Sequence, residues 1–243
     1  MSFDEKYFSS HTYANISFAK FSQYWWSNRF YAILARRYGK HGTLLLEIGC
    51  GLGHLIGQLQ DSFKTFAMDI NHWALVQAKV TASHTRLQVG SAEAIPYAEG
   101  TFDVVIIKHV VEHLIHPEKA MAELGRVLAP AGILIFSTPN LDSLLRPCKG
   151  KRWIGYQDPT HVALNPPSEW LSMIEAAGMK TRRTFADGFW DVPYISFVPK
   201  QIQKVAFGTL GGFQALTGVI FLPMRWGESL MVIAEKTCPP GVK

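Results

Sequence analysis

Apolar residues in this chain gather in short, nearly unbroken blocks instead of alternating strictly with polar ones. The blocks are Leu44-Leu45-Leu46, closed by Glu47; residues 63–70, with Asp69 near the end; Leu87-Gln88-Val89; and residues 100–107, 132–136, 179–185 and 229–235. A strand covered on both faces loses the in-and-out alternation of a half-exposed one, so these blocks read as buried, mostly parallel strands. Between them the pattern is helical. Residues 13–38 and 73–80 read as helices, as does the stretch after the glycines at 49–53. Residues 119–128 form an amphipathic helix, broken by Pro130-Ala131-Gly132. Pro167-Ser168-Glu169 opens another, with Ser168 as N-cap, Trp170, Leu171, Ile174 and Ala177 on one face, and Gly178 as the stop. Strands alternating with helices predict an α/β fold around an open, doubly wound, mostly parallel seven-stranded sheet. On such sheets ligands bind beyond the carboxyl ends of the strands, near the point where strand order reverses.

The polar residues of interest fall at those ends. Gly49, Gly51 and Gly53 follow the first strand at alternate positions, where a missing Cβ lets backbone amides approach a ligand closely. The dinucleotide fingerprint needs its third glycine at position 54, which here is His54. Glu47 would repel a pyrophosphate and suits a ligand carrying an ammonium or sulfonium. Asp69 lies about 20 residues past the turn, the spacing at which an acid takes up ribose hydroxyls; its alternative role is to N-cap the following helix together with Asn71.

Glu47-x-Gly49-x-Gly51-x-Gly53 resembles motif I of the class I S-adenosylmethionine (SAM)-dependent methyltransferases. Three more segments follow in the family's order. After Asp69-Ile70 comes Ser91-Ala92-Glu93-Ala94-Ile95-Pro96-Tyr97, similar to the family segment whose first polar residue and following amide hold the adenine amino group. Ser91 replaces the usual aspartate, keeping hydrogen-bonding capacity without the charge. Phe102-Asp103-Val104 and the following Glu112-His113-Leu114 match the pattern at and after the fourth strand. The resemblance covers residues 43–180. It implies a Rossmann-like methyltransferase fold, SAM as cofactor, and cofactor contacts from Glu47, Gly49, Cys50, Gly51, Gly53, Asp69, Ile70, Ser91, Ala92, Glu93, Lys108 and His109. Glu112-His113-Leu114, Thr138-Pro139-Asn140 and Asp158-Pro159-Thr160-His161 look most like a branch that methylates small molecules and lipids, including the ubiquinone-pathway O-methyltransferases.

Length and composition set limits. At 243 residues with 48% apolar content, the chain suits one α/β domain with a sizeable core. We expect a helical cap over residues 1–40 and a SAM-binding domain over 41–243. Lys and Arg outnumber Asp and Glu by 24 to 19, a net charge of +5 spread over small clusters at Arg36-Arg37, 146–152 and 180–183. That is too sparse for a nucleic-acid stripe, so no nucleic-acid partner is expected; an anionic substrate or a membrane surface fits better. Cys50, Cys148 and Cys238 have no metal-ligand spacing and leave one odd, so neither a metal nor a disulfide is expected. Cys50 reads as a small buried filler. With no apolar leader after Met1, the expected location is cytoplasmic, with peripheral membrane contact as an open alternative.

Substrate identity must lie in the flanks. Tyr24, Trp25, Trp26, Phe30 and Tyr31 cluster on the N-terminal helix, which either covers the cofactor pocket or packs on the sheet for stability. Between the sixth and seventh strands, residues 188–227 form a long insertion, and residues 205–224 carry no charge. Gly208, Gly211, Gly212, Gly218, Gln214 and Pro223 dilute its hydrophobicity, and a membrane span would separate two strands of one sheet. The insertion is therefore an apolar lid or an interfacial segment flanked by Lys200, Lys204, Arg225 and Trp226. Methyl transfer to oxygen also needs a proton acceptor, for which His113, then His161, then His109 rank as candidates. Two other classes remain: a hydride-transferring Rossmann oxidoreductase, disfavoured by the glycine register, and a non-catalytic SAM-fold scaffold or regulatory protein.

Overall fold

The computed structural model describes residues 17–237; the expected helix start at 13–16 and Cys238 lie outside them. The elements run α1 (Gln23–Tyr38), β1 (Leu44–Ile48), β2 (Lys64–Asp69), α2 (His72–Thr81), β3 (Arg86–Val89), β4 (Phe102–Lys108), α3 (Pro117–Val127) and β5 (Leu128–Pro139). After two single turns, α4 (Arg146–Lys149) and α5 (Ile154–Gln157), come α6 (Pro167–Ala176), β6 (Met179–Ala186), α7 (Lys200–Thr217) and β7 (Ser229–Lys236). The seven strands form one sheet in the order β3-β2-β1-β4-β5-β7-β6. All pairings are parallel except those of β7, which runs antiparallel to β5 and β6. The doubly wound, mostly parallel sheet expected from the apolar blocks is thus present, with β7 as the reversed strand.

The two-residue period of the strands sorts their side chains into two cores. Leu45, Val104, Ile106, Ile135, Phe185 and Met231 pack with Phe30, Tyr31 and Leu34 of α1. Their neighbours Leu46, Val105, Ile107, Phe136 and Val232 pack on the opposite face with Met121 and Leu124 of α3 and with Trp170 and Ile174 of α6. Buried apolar side chains of this size contribute roughly 1.5–3 kcal/mol each. The aromatic helix α1 is therefore part of the main core.

Local expectations changed in three places. The segment after the glycine turn forms only a single 3-10 turn (Ile56–Gln58), with no α-helix. Gly53 and Gly57 interrupt it, and a Cβ on Gly57 would sit 2.7 Å from the Thr81 carbonyl at the end of α2. Helix α6 takes Pro166 as N-cap without a side-chain bond, so Ser168 lies inside the helix and does not cap it. Strand β5 begins at Leu128, ahead of the Pro130-Ala131-Gly132 break, because Phe102 pairs with Leu128 before the register shifts to Val104 with Ile133.

Candidate active site

The glycine turn closes on the end of β2. Gly49, Gly51 and Gly53 adopt φ of +70°, +50° and +77°, conformations that side chains strain. A Cβ on Gly49 would lie 2.2 Å from Val110 Cγ2, and one on Gly53 2.9 Å from Ala78 Cβ of α2. Asp69 takes the Gly51 N–H on Oδ2 and the Asn71 N–H on Oδ1, both at 2.8 Å. Burial raises its carboxyl pKa against these bonds. Asn71 alone caps α2, accepting the Ala74 N–H. Of the two roles considered for Asp69, the N-cap is therefore excluded.

Beyond the apolar core, the rows facing α1 end in polar residues. Glu47 lies two positions past Leu45, Lys108 past Ile106, Ser137 past Ile135 and Asp187 past Phe185, and Ser229 stands two before Met231. Glu47 is buried, and its Oε2 has no hydrogen-bond partner. Burial pushes its carboxyl up to about 8, although Lys108 pulls the other way. Lys108 Nζ donates to Asn28 Oδ1 at 2.6 Å and to Ser27 Oγ at 3.2 Å, beneath the rings of Tyr31 and Tyr24. Burial brings this ammonium down to about 8, while Glu47 and Asp187 oppose the shift. The Tyr31 hydroxyl donates to Ser137 Oγ at 2.7 Å. The resemblance put Lys108 on the cofactor; the structure places its amino group under α1, fastening that helix over the site. The Phe18 ring stacks on His54 of the glycine segment at 4.9 Å, closing the same side.

The three histidines divide into two settings. His109, held at φ +52°, pairs Nδ1 with Glu112 Oε1 at 3.0 Å and Nε2 with Ser229 Oγ at 3.2 Å. Ser229 Oγ in turn donates to Asp187 Oδ2 at 2.7 Å. Both ring nitrogens of His109 are thus engaged. The rings of His113 and His161 meet at a tilt of 57°, their centroids 4.7 Å apart. His113 Nδ1 meets Thr160 Oγ1 at 2.7 Å, and that hydroxyl donates onward to Asp158 Oδ1. His161 Nδ1 donates to the Gly155 carbonyl at 2.6 Å. These bonds set the rings so that Nε2 carries the lone pair on each. Burial lowers the His113 pKa below the usual 6.5, against the pull of Glu112. Burial alone would raise Glu112, but the bond from His109 and the nearness of His113 and His161 hold it below the usual carboxyl range. Glu112, His113 and His161 bring ligand-capable atoms within 4.8 Å of one another, a grouping able to hold a metal ion. No spacing in the sequence indicated it, because His161 comes from a separate loop whose Val162 and Ala163 N–H groups bond the Glu112 carbonyl.

The remaining candidates sit around the rim. Ser91 Oγ accepts the Glu93 N–H at 3.1 Å, Ala92 is buried, and Glu93 Oε1 accepts the His116 N–H ahead of α3. Ile70 is exposed beside Asp69. Cys50 is buried as expected of a filler, and burial raises its thiol pKa.

The insertion forms α7 and packs it across α1. Gln214, which diluted the hydropathy pattern, proves to be a buried tie point, as does Gln203. Gln203 Oε1 accepts the Tyr194 N–H, and Gln214 bonds the Ala186 carbonyl and the Phe221 and Leu222 N–H groups. Arg37 of α1 donates to the Gly218 carbonyl at the helix end. Between the two helices lies a cavity of about 360 Å³, lined by Trp26, Phe189, Trp190, Val192, Gly208 and Leu216 among others. A smaller space of about 210 Å³ lies between Tyr24, Asn28 and His54. The sequence pattern did not single out Asp187, Ser229 or Ser137, and it placed Tyr31 only within the aromatic cluster of α1. For Asp187 a signal existed, an acid just past a strand's carboxyl end; for Ser229 it required knowing that β7 runs backwards.

Residues 46–136 match the family described as methyltransferase domain. The chain is 31% identical over 105 residues to the ubiquinone biosynthesis O-methyltransferase of Caulobacter sp. (strain K31), covering 41% of this chain and 42% of that one. It is 31% identical over 106 residues to the malonyl-[acyl-carrier protein] O-methyltransferase of Erwinia billingiae, covering 43% and 42%. The matched segments thus span less than half of either relative. The fold superposes on the YcgJ protein of Bacillus subtilis with a TM-score of 0.58 at 18% identity, over 88% of this chain and 99% of that one.

Proposed function

We propose that the protein, whose residues 46–136 match the methyltransferase domain family, transfers a methyl group from SAM to an apolar, lipid-like small-molecule acceptor, at oxygen. The observation carrying the cofactor half is Glu47: a buried carboxylate with an unpartnered oxygen, pushed up to about 8, beside a glycine turn. A cationic amino-acid end of the ligand would satisfy it. Gly49, Gly51 and Gly53 would carry the backbone past that ligand, and Asp69, with Ile70 beside it, would meet the ribose. Ser91, Ala92 and Glu93 stand at the next strand end, where the adenine is expected. When bound, the cofactor supplies an electrophilic methyl on a sulfonium.

For the acceptor, the apolar cavity under α7 supports a hydrophobic body, and the His113–His161 pair supports proton removal. Of the three histidines, His109 has both nitrogens engaged, whereas burial favours the neutral, proton-accepting form of His113. Exclusion of water by α1 and α7 would leave alignment as the main work of the site. A second reading rests on the 4.8 Å grouping of Glu112, His113 and His161. There a divalent cation would hold the acceptor oxygen and favour its ionised form. A nitrogen that ligates a metal cannot take a proton, so loss of turnover on chelation, restored by added metal, selects this second reading.

The proposal is tested by isothermal titration of the purified chain with S-adenosylhomocysteine, with NAD as control. Binding of the homocysteine compound, none of NAD, and a loss of about tenfold or more in Asp69→Ala are expected. Failure to bind the homocysteine compound would favour a scaffold that has only the fold.

A further inference from the structure

The insertion helix has two apolar faces, and among the described residues only one is packed against the rest of the fold. On the inner side Gly208, Gly211 and Gly212 leave room beside Trp190; a Cβ on Gly211 would stand 2.4 Å from Trp190 Cζ2. On the outer side Ile202, Val205 and Phe213 are each more than half exposed, as is Leu216 at the edge where this face meets the cavity. With Thr209 between them they recur every three or four residues, forming one stripe along α7. Val219 and Phe221 extend it past the helix end, where the Phe221 ring meets Phe213 at 5.9 Å. Phe197 (87% exposed) precedes α7 in the chain and Trp226 (45%) follows it.

Charge indicates what covers this face. From residue 192 to 227 the chain carries Lys200, Lys204 and Arg225 and no acidic residue. All three cations are exposed, Lys204 at the mouth of the cavity. An apolar stripe with aromatics before and after it in the chain and only positive charge beside it complements the interface of an anionic bilayer, where ring and cation sit at headgroup level above buried aliphatic side chains. A second copy of the same face would bring cation against cation. No described helix is long and apolar enough to cross a membrane, so α7 would lie in the plane of the surface.

We propose that the outer face of α7 docks flat on an anionic lipid surface, its apolar stripe among the acyl chains and Lys200 and Arg225 against the headgroups. Docking goes beyond the methyl-transfer reading and does not require it. If both hold, an apolar acceptor passes from the bilayer into the cavity on the inner side of the same helix.

The test is co-sedimentation of the full chain with vesicles of phosphatidylcholine alone and of phosphatidylcholine mixed equally with phosphatidylglycerol. Binding to the mixed vesicles is expected, weakening with salt and by about fivefold for each cation replaced in Lys200→Gln and Arg225→Gln. Val205→Ser combined with Phe213→Ser should lower partition to both vesicle types by about tenfold or more. Circular dichroism and melting of each variant report whether it folds; the two charge variants provide the test if the double variant does not. No partition to either vesicle, or partition indifferent to all these changes, would overturn the proposal. So would a self-associated state in sedimentation velocity that the double variant dissolves, since the face would then be covered by a second copy. Vesicle binding is measured without cofactor and homocysteine titration without lipid, so either reading can fail alone.

Discussion

At the scale of single residues, the site is governed by what burial does to charge. Glu47 titrates near 4.5 when solvated and near 8 when folded. The folded chain therefore holds a proton that the unfolded chain has lost across that interval. Its stabilising effect is complete below about pH 4.5 and is lost as pH rises through 8. Glu47→Gln should flatten this dependence and make the free protein more stable than wild type at pH 8, by about 1–3 kcal/mol, while weakening homocysteine binding. Chemical unfolding at pH 5 and pH 8 checks the first expectation and calorimetry the second. For the histidine pair, His113→Ala and His161→Ala should each retain homocysteine affinity, and at least one should lose about 100-fold or more of turnover. The acid limb of wild-type turnover should fall below the usual histidine value of 6.5, in the direction of the His113 shift. Wild-type turnover in both variants would remove base catalysis by this pair.

At the scale of elements, glycine decides how closely segments approach. The helix expected after the glycine turn shrinks to a single turn because Gly57 lies against the end of α2, and Gly211 lets α7 settle on Trp190 and the Asp187 carbonyl. Gly57→Ala and Gly211→Ala should each cost about 1–3 kcal/mol, read by urea titration. Only Gly211→Ala should also disturb the acceptor cavity, appearing as weaker acceptor use at unchanged homocysteine affinity. The strands were legible because burial on both faces leaves an apolar signature in each one. The caps were less so: Ser168 has the residue type of a cap, but Pro166 takes that position, and the pattern of Ser, Thr, Asp and Asn alone does not locate it.

At the scale of the whole molecule, the order of strands, the glycine turn and the acid at the end of β2 were readable because each is local in sequence. The contacts that assemble the site are not. Ser137 meets Tyr31 across 106 positions, Ser229 meets His109 across 120, and His161 reaches His113 from another loop. Such pairs follow from topology, above all from the reversal of β7, which no residue announces. That reversal has one more consequence. Because β6 and β7 are antiparallel neighbours, the insertion leaves and re-enters the sheet at one point, where the Glu228 N–H bonds the Gly188 carbonyl and the Ser229 N–H bonds Asp187 Oδ1. An excursion with joined ends is thermodynamically inexpensive to lengthen, since each doubling of a loop adds only about 0.6 kcal/mol. Residues 188–227 can therefore be shortened, exchanged or rewritten among descendants of this fold while the glycine turn keeps its register. Acceptor choice and surface attachment would then evolve together in one replaceable module, at a rate separate from that of the nucleotide-binding half.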